Sequence, residues 1–516
     1  MRARADKSAL CATWRGIAII IIALLKFVLI QFCICVINFD NYLIQFGISG
    51  IYGNIVMDTI WQPDLLQKGT AKYRALLDAI RTALENGTIS KGDRLPPVRD
   101  MAWQLKITPG TVARAYQLGI EEGLLEAQVG RGTFIRDPKP ARGIVFGETH
   151  VEPHIVDLKN AAVPDFGQDG IFDELSQQVT FGGAHSMVRF AGHNELETRA
   201  TMLAWMGLDQ HRAKPEDLVL THGSQNATVA AFMAILRGQS PVIATDALVL
   251  PGTRKAAVLA RAKIIGVPAD DEGMIPKALE DLFRRERPQI LHVSANIHNP
   301  TTRIMSNTRK AEIAEIARRF DIQIVEDDGQ GKFFTDRPPS FLDFCPERVW
   351  YVSSLSRYLA AGLRSGFLLC PPDKGAIGRD VMQALSHSFS PIIAQLSCLL
   401  ITSGHADTLL GQIREYRQDR VRLAVNQLGR WNIHWNEAAD FIWLELPDLW
   451  RGSTFSLASE RAGIQVAPAD IFLPDDASAP NAVRLTLGGK HSSAVFVDAL
   501  ERLNHLLDTP PSEMLA

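Results

Sequence analysis

The chain of 516 residues is short of cysteine, and the six it has (Cys11, Cys33, Cys35, Cys345, Cys370, Cys398) form no CxxC pair and no metal-ligand spacing with histidine. That excludes a disulfide frame and a zinc site of the usual kind, and reads as reduced, intracellular thiols. An excess of charge of either sign is also lacking. With 54 Lys and Arg against 57 Asp and Glu the formal charge is −3. Such a balance argues against a protein that coats nucleic acid indiscriminately, yet leaves room for one small DNA-reading module. Aromatics at 8%, charged residues at 22% and hydrophobic residues at 46% are ordinary values, which exclude disordered, collagen-like and polytopic membrane classes. At roughly 150 residues per domain the length implies two to four domains, with ample chain to bury a core.

One hydrophobic run is long enough to cross a bilayer. Residues 16–37 are apolar apart from Lys26 and Gln31. Arg2, Arg4, Lys7 and Arg15 precede the run and only Asp40 follows closely, so the positive-inside rule would hold the amino terminus in the cytoplasm and export everything downstream. The apolar stretch at residues 42–56 is broken by Gln45, Asn54 and several glycines, and makes a poor returning span. Two readings stand for residues 1–56: a hydrophobic extension that is never made because translation starts at Met57, or a membrane anchor. The late start is favoured, because export contradicts the DNA-binding reading that follows; it places the protein in the cytoplasm.

Residues 57–137 carry short helical patterns. Tyr73, Leu76, Leu77, Ile80 and Leu84 recur at helical spacing, and Asn86-Gly87 ends that helix. Leu95-Pro96-Pro97 opens a second helix over residues 98–105. Thr108-Pro109 reads as an N-cap with proline at the first helical position, starting a third helix that Gly123 stops. Two short helices with a tight junction make a helix-turn-helix, whose third helix would offer Thr111 and Arg114 to the major groove. Residues 124–135, with Gly130-Arg131-Gly132 between two short runs, predict a two-stranded wing carrying Arg131. Ten Lys and Arg against eight Asp and Glu over residues 71–137 leave a balance of only +2, so binding would depend on where the charges stand. On periodicity alone, a plain three-helix bundle is the simpler reading.

A proline-containing linker at residues 138–160 leads into some 350 residues in which β-rich runs alternate with helical patterns, one large domain over residues 161–509. Residues 218–220, 242–244, 290–293, 322–325 and 349–352 read as strands, and residues 225–236 and 309–319 as helices. That alternation predicts an α/β fold with a parallel-rich sheet, helices on both faces and a smaller lobe, preceded by the α+β winged module. Ligand residues should then lie just past the carboxyl ends of the strands. Candidates there are the Gly223-Ser224-Gln225 turn opening a helix, suited to a phosphate; Asn299 in His-Asn-Pro-Thr; the acids Glu326-Asp327-Asp328, suited to a cationic ring nitrogen; and Ser356 and Arg364 in a loop rich in hydroxyl and arginine. Arg484 in Val-Arg-Leu-Thr-Leu-Gly could clamp a carboxylate. Each signal is weak singly, with a turn or a solvated ion as the plainer reading.

Their literal text and order add more. Gly92-Asp93-Arg94-Leu95-Pro96-Pro97-x-Arg99-Asp100, then Thr111-Val112-Ala113-Arg114-Ala115-Tyr116, then the glycine-arginine wing, resemble the winged helix-turn-helix of GntR-type bacterial regulators. By that resemblance Arg99, Thr111, Arg114 and Arg131 contact double-stranded DNA, while Pro109 stands where many members have an arginine. The strand-end motifs from about residue 157 to 507 resemble a fold-type-I aminotransferase that binds pyridoxal phosphate. The fused layout resembles MocR-type regulators, in which the large domain senses pyridoxal phosphate or an amino compound and alters how a head-to-tail homodimer holds DNA. The resemblance implies that Gly223, Ser224, Gln225, Asn299, Asp327, Ser356 and Arg364 serve the cofactor and Arg484 a ligand carboxylate. The departures fall in the same pocket. Arg357 occupies the position of the Schiff-base lysine, Gly329 that of a tyrosine, Leu250 that of the stacking aromatic, and Glu195 that of a glycine. A guanidinium cannot form an imine as an amine can. The expectation is a regulator whose large domain is catalytically inactive, with the cofactor non-covalent at most; the alternative is a working aminotransferase with an appended DNA module, using another lysine such as Lys332 or Lys255.

Overall fold

In the amino-terminal unit, Leu76, Leu77, Ile80 and Ala83 line one face of the helix Lys72–Glu85 and are buried. The structure, a computed structural model, describes residues 72–90, 93–121, 124–128, 132–135, 155–181, 196–211, 213–474, 479–489 and 491–509. The chain divides into two units, residues 1–143 and 144–516. The hydrophobic run at residues 16–37 lies outside the described residues; among those described, no helix is long and apolar enough to cross a membrane.

The helices Val98–Gln104 and Pro109–Glu121 pack Met101, Ala102, Val112, Ala115 and Tyr116 onto the first helix. Between them Lys106 takes a left-handed backbone (φ 51°), which makes the sharp turn. The Thr108 hydroxyl accepts from the Thr111 amide at 3.4 Å and meets the Thr111 hydroxyl at 2.9 Å, so the side chain caps the third helix as its position predicts. The buried Tyr116 hydroxyl donates to the Pro96 carbonyl at 2.9 Å, tying that helix to the turn before the second. Strands Leu125–Gln128 and Gly132–Ile135 pair antiparallel, Leu125 opposite Ile135. The turn at residues 93–95 extends the wing through Leu95 N–H to Thr133 and Ile135 N–H to Asp93, both at 2.8 Å.

The larger unit is built on a seven-stranded sheet in the order Leu218–Thr221, Gly366–Leu369, Val349–Ser354, Gln323–Asp327, Ile290–Val293, Val242–Asp246, Lys263–Val267. Six strands are parallel; Gly366–Leu369 runs against both neighbours. Strands covered on both faces lose the alternating pattern, and all six residues of Val349–Ser354 are buried. One face carries Leu220, Ile324, Tyr351 and Phe367; the other carries Phe232, Ile243, Val325, Trp350 and Leu368. A smaller lobe has a four-stranded sheet, Ile433–His434, Phe441–Glu445, Ala482–Thr486 and Ala467–Pro468, with the helices Gly452–Arg461 and Ser493–Asp508 on a core of Trp450, Phe455, Leu485 and Leu503.

Two strands of the seven-stranded sheet escape the sequence pattern. Lys263–Val267 is a sheet edge with only Val267 fully buried. The loop rich in hydroxyl and arginine ends sooner than its text suggests: Gly366 and Phe367 are strand residues, because Phe367 supplies core area and Gly366 lets two backbones approach. A Cβ on Gly366 would lie 2.7 Å from the backbone carbons of Gly223. Gly366→Ala is therefore expected to cost about 1–3 kcal/mol, through forced displacement of the 222–225 turn; thermal unfolding of the variant measures it, and an unchanged Tm contradicts the close approach.

Candidate functional site

On the DNA-reading unit Arg99 and Arg114 are exposed and Thr111 is half-buried at the head of the third helix. The Arg114 guanidinium lies 4.3 Å over the Tyr73 ring, so the first helix fixes the direction in which that arginine leaves the third. Arg131 lies outside the described residues, as does Glu195.

In the large unit the strand ends converge as α/β geometry requires. Gly223 (φ 88°) turns the chain from strand Leu218–Thr221 into helix Ser224–Ile235 and leaves the first amides of that helix facing outward. The loop after Val349–Ser354 comes against this turn: Arg364, left-handed at φ 48°, donates to the His222 carbonyl at 3.0 Å. A Cβ on Gly223 would lie 2.7 Å from its guanidinium. Ser356 is buried, its amide and hydroxyl on the Ser365 carbonyl at 3.3 and 3.4 Å. Gly223, Ser224, Ser356 and Arg364 are thus brought into one anion-accepting corner. Gln225 is not part of it: its side chain is exposed and donates to the Gly252 carbonyl at 2.8 Å.

The three acids on strand Gln323–Asp327 and its turn separate by environment. Glu326 is buried and pushed up to about 8 by burial, with Asp328 adding to it; it accepts from Phe341 N–H at 2.9 Å. Asp328 is saturated, taking Arg337 and the Tyr351 hydroxyl at 2.8 Å each and the amides of Gln330 and Gly331. Asp327 is half-buried, and its carboxylate accepts no hydrogen bond among the described residues. Burial raises it to about 6 against the pull of Arg357.

Arg357, which the resemblance sets at the Schiff-base lysine's position, lies on the short helix Leu355–Tyr358. Its side chain runs across Gly329, where a Cβ would be 3.1 Å from its Cδ and 3.2 Å from its Nε, and reaches Asp440 at 3.4 Å. Glycine and arginine are complementary: any side chain at 329 would begin in tight contact with Arg357, which would have to give by a few tenths of an ångström. Asp440 is the centre that sequence reasoning missed. It also accepts from Arg417 at 3.4 Å and from the Gln330 amide at 2.8 Å, while Arg417 donates to Gln330 at 2.9 Å. Burial alone would raise the Asp440 carboxyl, but Arg417, Arg357 and Arg484 outweigh it and hold it low. Arg484, buried, donates to Asn299 at 2.8 Å and to the Lys159 carbonyl at 2.7 Å, with its Nε–H lacking an acceptor among the described residues. Burial lowers both Arg417 and Arg484 to about 10. Leu250 turns into an apolar cluster with Leu248, Trp443 and Phe472, and offers no aromatic face. The only sequence signal for Asp440 was an acid placed directly before the apolar run at residues 441–444.

These residues fit pyridoxal phosphate in part. The anion corner suits its phosphate, and Asp327, with no hydrogen-bond donor on it among the described residues, suits a protonated ring nitrogen. No amine stands at 357 and no phenol at 329, so the pocket does not fit an imine-linked cofactor.

The aminotransferase class I and II profile matches residues 154–503, and the chain belongs to that family. The profile of the bacterial regulatory proteins of the gntR family matches residues 72–135, which gives the two-part layout of MocR-type regulators. The HTH-type transcriptional regulator YdeF of Bacillus subtilis (strain 168) is 25% identical over 450 residues, 87% of this chain and 97% of its own. YdcR of Escherichia coli (strain K12), described in the same terms, is 26% identical over 78% of this chain and 92% of its own. Among solved structures, the α-aminoadipate aminotransferase LysN of Thermus thermophilus superposes with a TM-score of 0.61 at 21% identity, over 70% of this chain and 95% of that one. At that identity the likeness establishes the fold alone.

Asp327 supplies a pH-dependent test. Its pKa in the fold lies above the ordinary 3.8, so ionising it costs stability, and the penalty is absent below about pH 4 and complete above about pH 6. Asp327→Asn is expected to stabilise the protein by roughly 1–3 kcal/mol at pH 7.5 and by little at pH 4; equal effects at both values would show that the carboxyl is not held up.

Proposed function

We propose that this protein is a cytoplasmic, sequence-specific DNA-binding transcription regulator acting as a homodimer, with an aminotransferase-like domain that binds an anionic or amino-compound effector and does not catalyse transamination. The observation that carries the reading is Arg357 folded over Gly329 and paired with Asp440, in the place that amine chemistry needs. Double-stranded DNA is met by Arg99, Thr111, Arg114 and Arg131; the anion corner of Gly223, Ser224, Ser356 and Arg364 holds a phosphate, Asp327 a ring nitrogen, and Arg484 with Asn299 a carboxylate. Pyridoxal phosphate would supply an electron sink when bound, but this chain offers it positioning only. Lys332, one of the two lysines weighed as a substitute, has its ammonium on the Trp205 carbonyl and 4.7 Å over the Trp205 ring, which favours a structural place for it.

Two measurements test the proposal. Protein mixed with pyridoxal phosphate is expected to show no visible aldimine absorbance and no borohydride-trapped adduct, and either signal would restore the aminotransferase reading. Arg114→Ala is expected to weaken specific DNA binding by roughly 1–3 kcal/mol while random DNA loses less. Equal losses would make Arg114 a phosphate contact, and no binding to any duplex at low ionic strength would sink the regulator assignment.

A further inference from the structure

The segment that follows Asp328 also lines a second cavity, of about 580 Å³, in the size range of small-molecule sites. Its far wall is the helix His405–Leu428, which presents Asp407, Gly411 and Arg414 at spacings of four and three on one face. Gly411 is the telling residue. A glycine inside a long helix costs roughly 1 kcal/mol relative to alanine, and a Cβ there would meet no atom within 4 Å. Packing within the chain does not ask for it; what its missing side chain preserves is the volume of the cavity.

The cavity is lined by three cations. Arg414 donates one guanidinium N–H to the Lys332 carbonyl at 3.2 Å, and its buried Nε–H has no acceptor among the described residues. Burial lowers the pKa of Lys332, Asp407 opposes that, and Arg337 and Arg414 add to the lowering. The carboxylates in the wall already have donors: Asp407 takes the Trp205 indole N–H at 2.8 Å, and Asp343 takes Ser340 N–H at 2.8 Å and faces His211 at 3.4 Å. Arg337 is shared with Asp328 at 2.8 Å.

We propose that this cavity is a second ligand site of the large domain, taking a small polyanion with oxygen acceptors (a phosphate monoester or a di- or tricarboxylate) on Arg337 and Arg414, with Lys332, held on the Trp205 carbonyl, adding its charge to the wall. The site is wired to the first pocket. Arg337 holds Asp328, Asp328 holds the Gln330 amide at 3.2 Å, and the Gln330 side chain holds Asp440. An anion that draws Arg337 toward itself therefore acts on the turn that positions Asp440, and ligands at the two sites would change each other's affinity by the same factor. This inference stands whether or not the first pocket is ever filled.

The test uses the full chain with inorganic phosphate and citrate as probes, read by calorimetric titration and by thermal shift. At least one probe is expected to bind saturably; phosphate alone assigns a phosphate ligand, citrate alone a carboxylate. Arg414→Gln is expected to weaken that binding at least tenfold. Gly411→Leu should abolish it, with a ligand-free Tm equal to or above that of the parent, since leucine is the better helix former. Arg484→Gln, in the first pocket, should leave it within about twofold, so that failure of this site and failure of the effector reading are told apart. Saturable binding of neither probe, binding indifferent to both Gly411→Leu and Arg414→Gln, or binding lost only in Arg484→Gln would overturn the proposal.

Discussion

The interior of the large unit depends on one carboxylate. Arg417 and Arg484 are each only 2% exposed, and moving an unpaired guanidinium out of water costs roughly several kcal/mol. Asp440 answers Arg417 and Arg357 directly and lies in the field of Arg484. Aromatic faces take part of the remaining positive charge: Phe333 lies 3.6 Å from the Arg417 guanidinium and Phe472 4.9 Å from that of Arg484. The arrangement fixes three guanidinium groups around one carboxylate, and one of them, Arg357, also acts on Asp327.

Much of this was legible in the sequence where one physical rule dominates. Residues 72–135 read correctly because Pro109, Thr108 and Asn86-Gly87 punctuate short helices unambiguously, and capping is a local event. The five strands named from their apolar runs are present because buried parallel strands write continuous hydrophobicity. The edge strand Lys263–Val267 and the reversed strand Gly366–Leu369 were not legible, one for want of burial, the other because arginine and serine beside it looked like a loop. In the site, residues marked by a motif were placed together, whereas Gln225 turned outward to Gly252. Asp440 and Arg417 were invisible because their partnership spans 23 residues of sequence and two elements, and no local pattern encodes it. The second cavity was hidden for the same reason: a glycine in a helix is silent until its neighbours are known.

The DNA-reading unit shows a different economy. Its charge balance is near zero, so direction has to do what quantity does not. Tyr73 of the first helix under Arg114, and the Pro96 carbonyl that takes the Tyr116 hydroxyl, both restrain the third helix from other parts of the same small unit. A reader of this kind gains selectivity from geometry, since few phosphate contacts are available to mask a poor fit to the bases.

The fit of Arg357 against Gly329 ties the two positions together. Replacing Arg357 alone would strip Asp440 of a partner, while a side chain at 329 alone would start 3.1 Å from the Cδ of the arginine. Changes at the pair are not additive, because neighbours in contact do not mutate independently. The two sites therefore act as one hinge of sequence space, in which an exchange at either is best tolerated when the other changes with it.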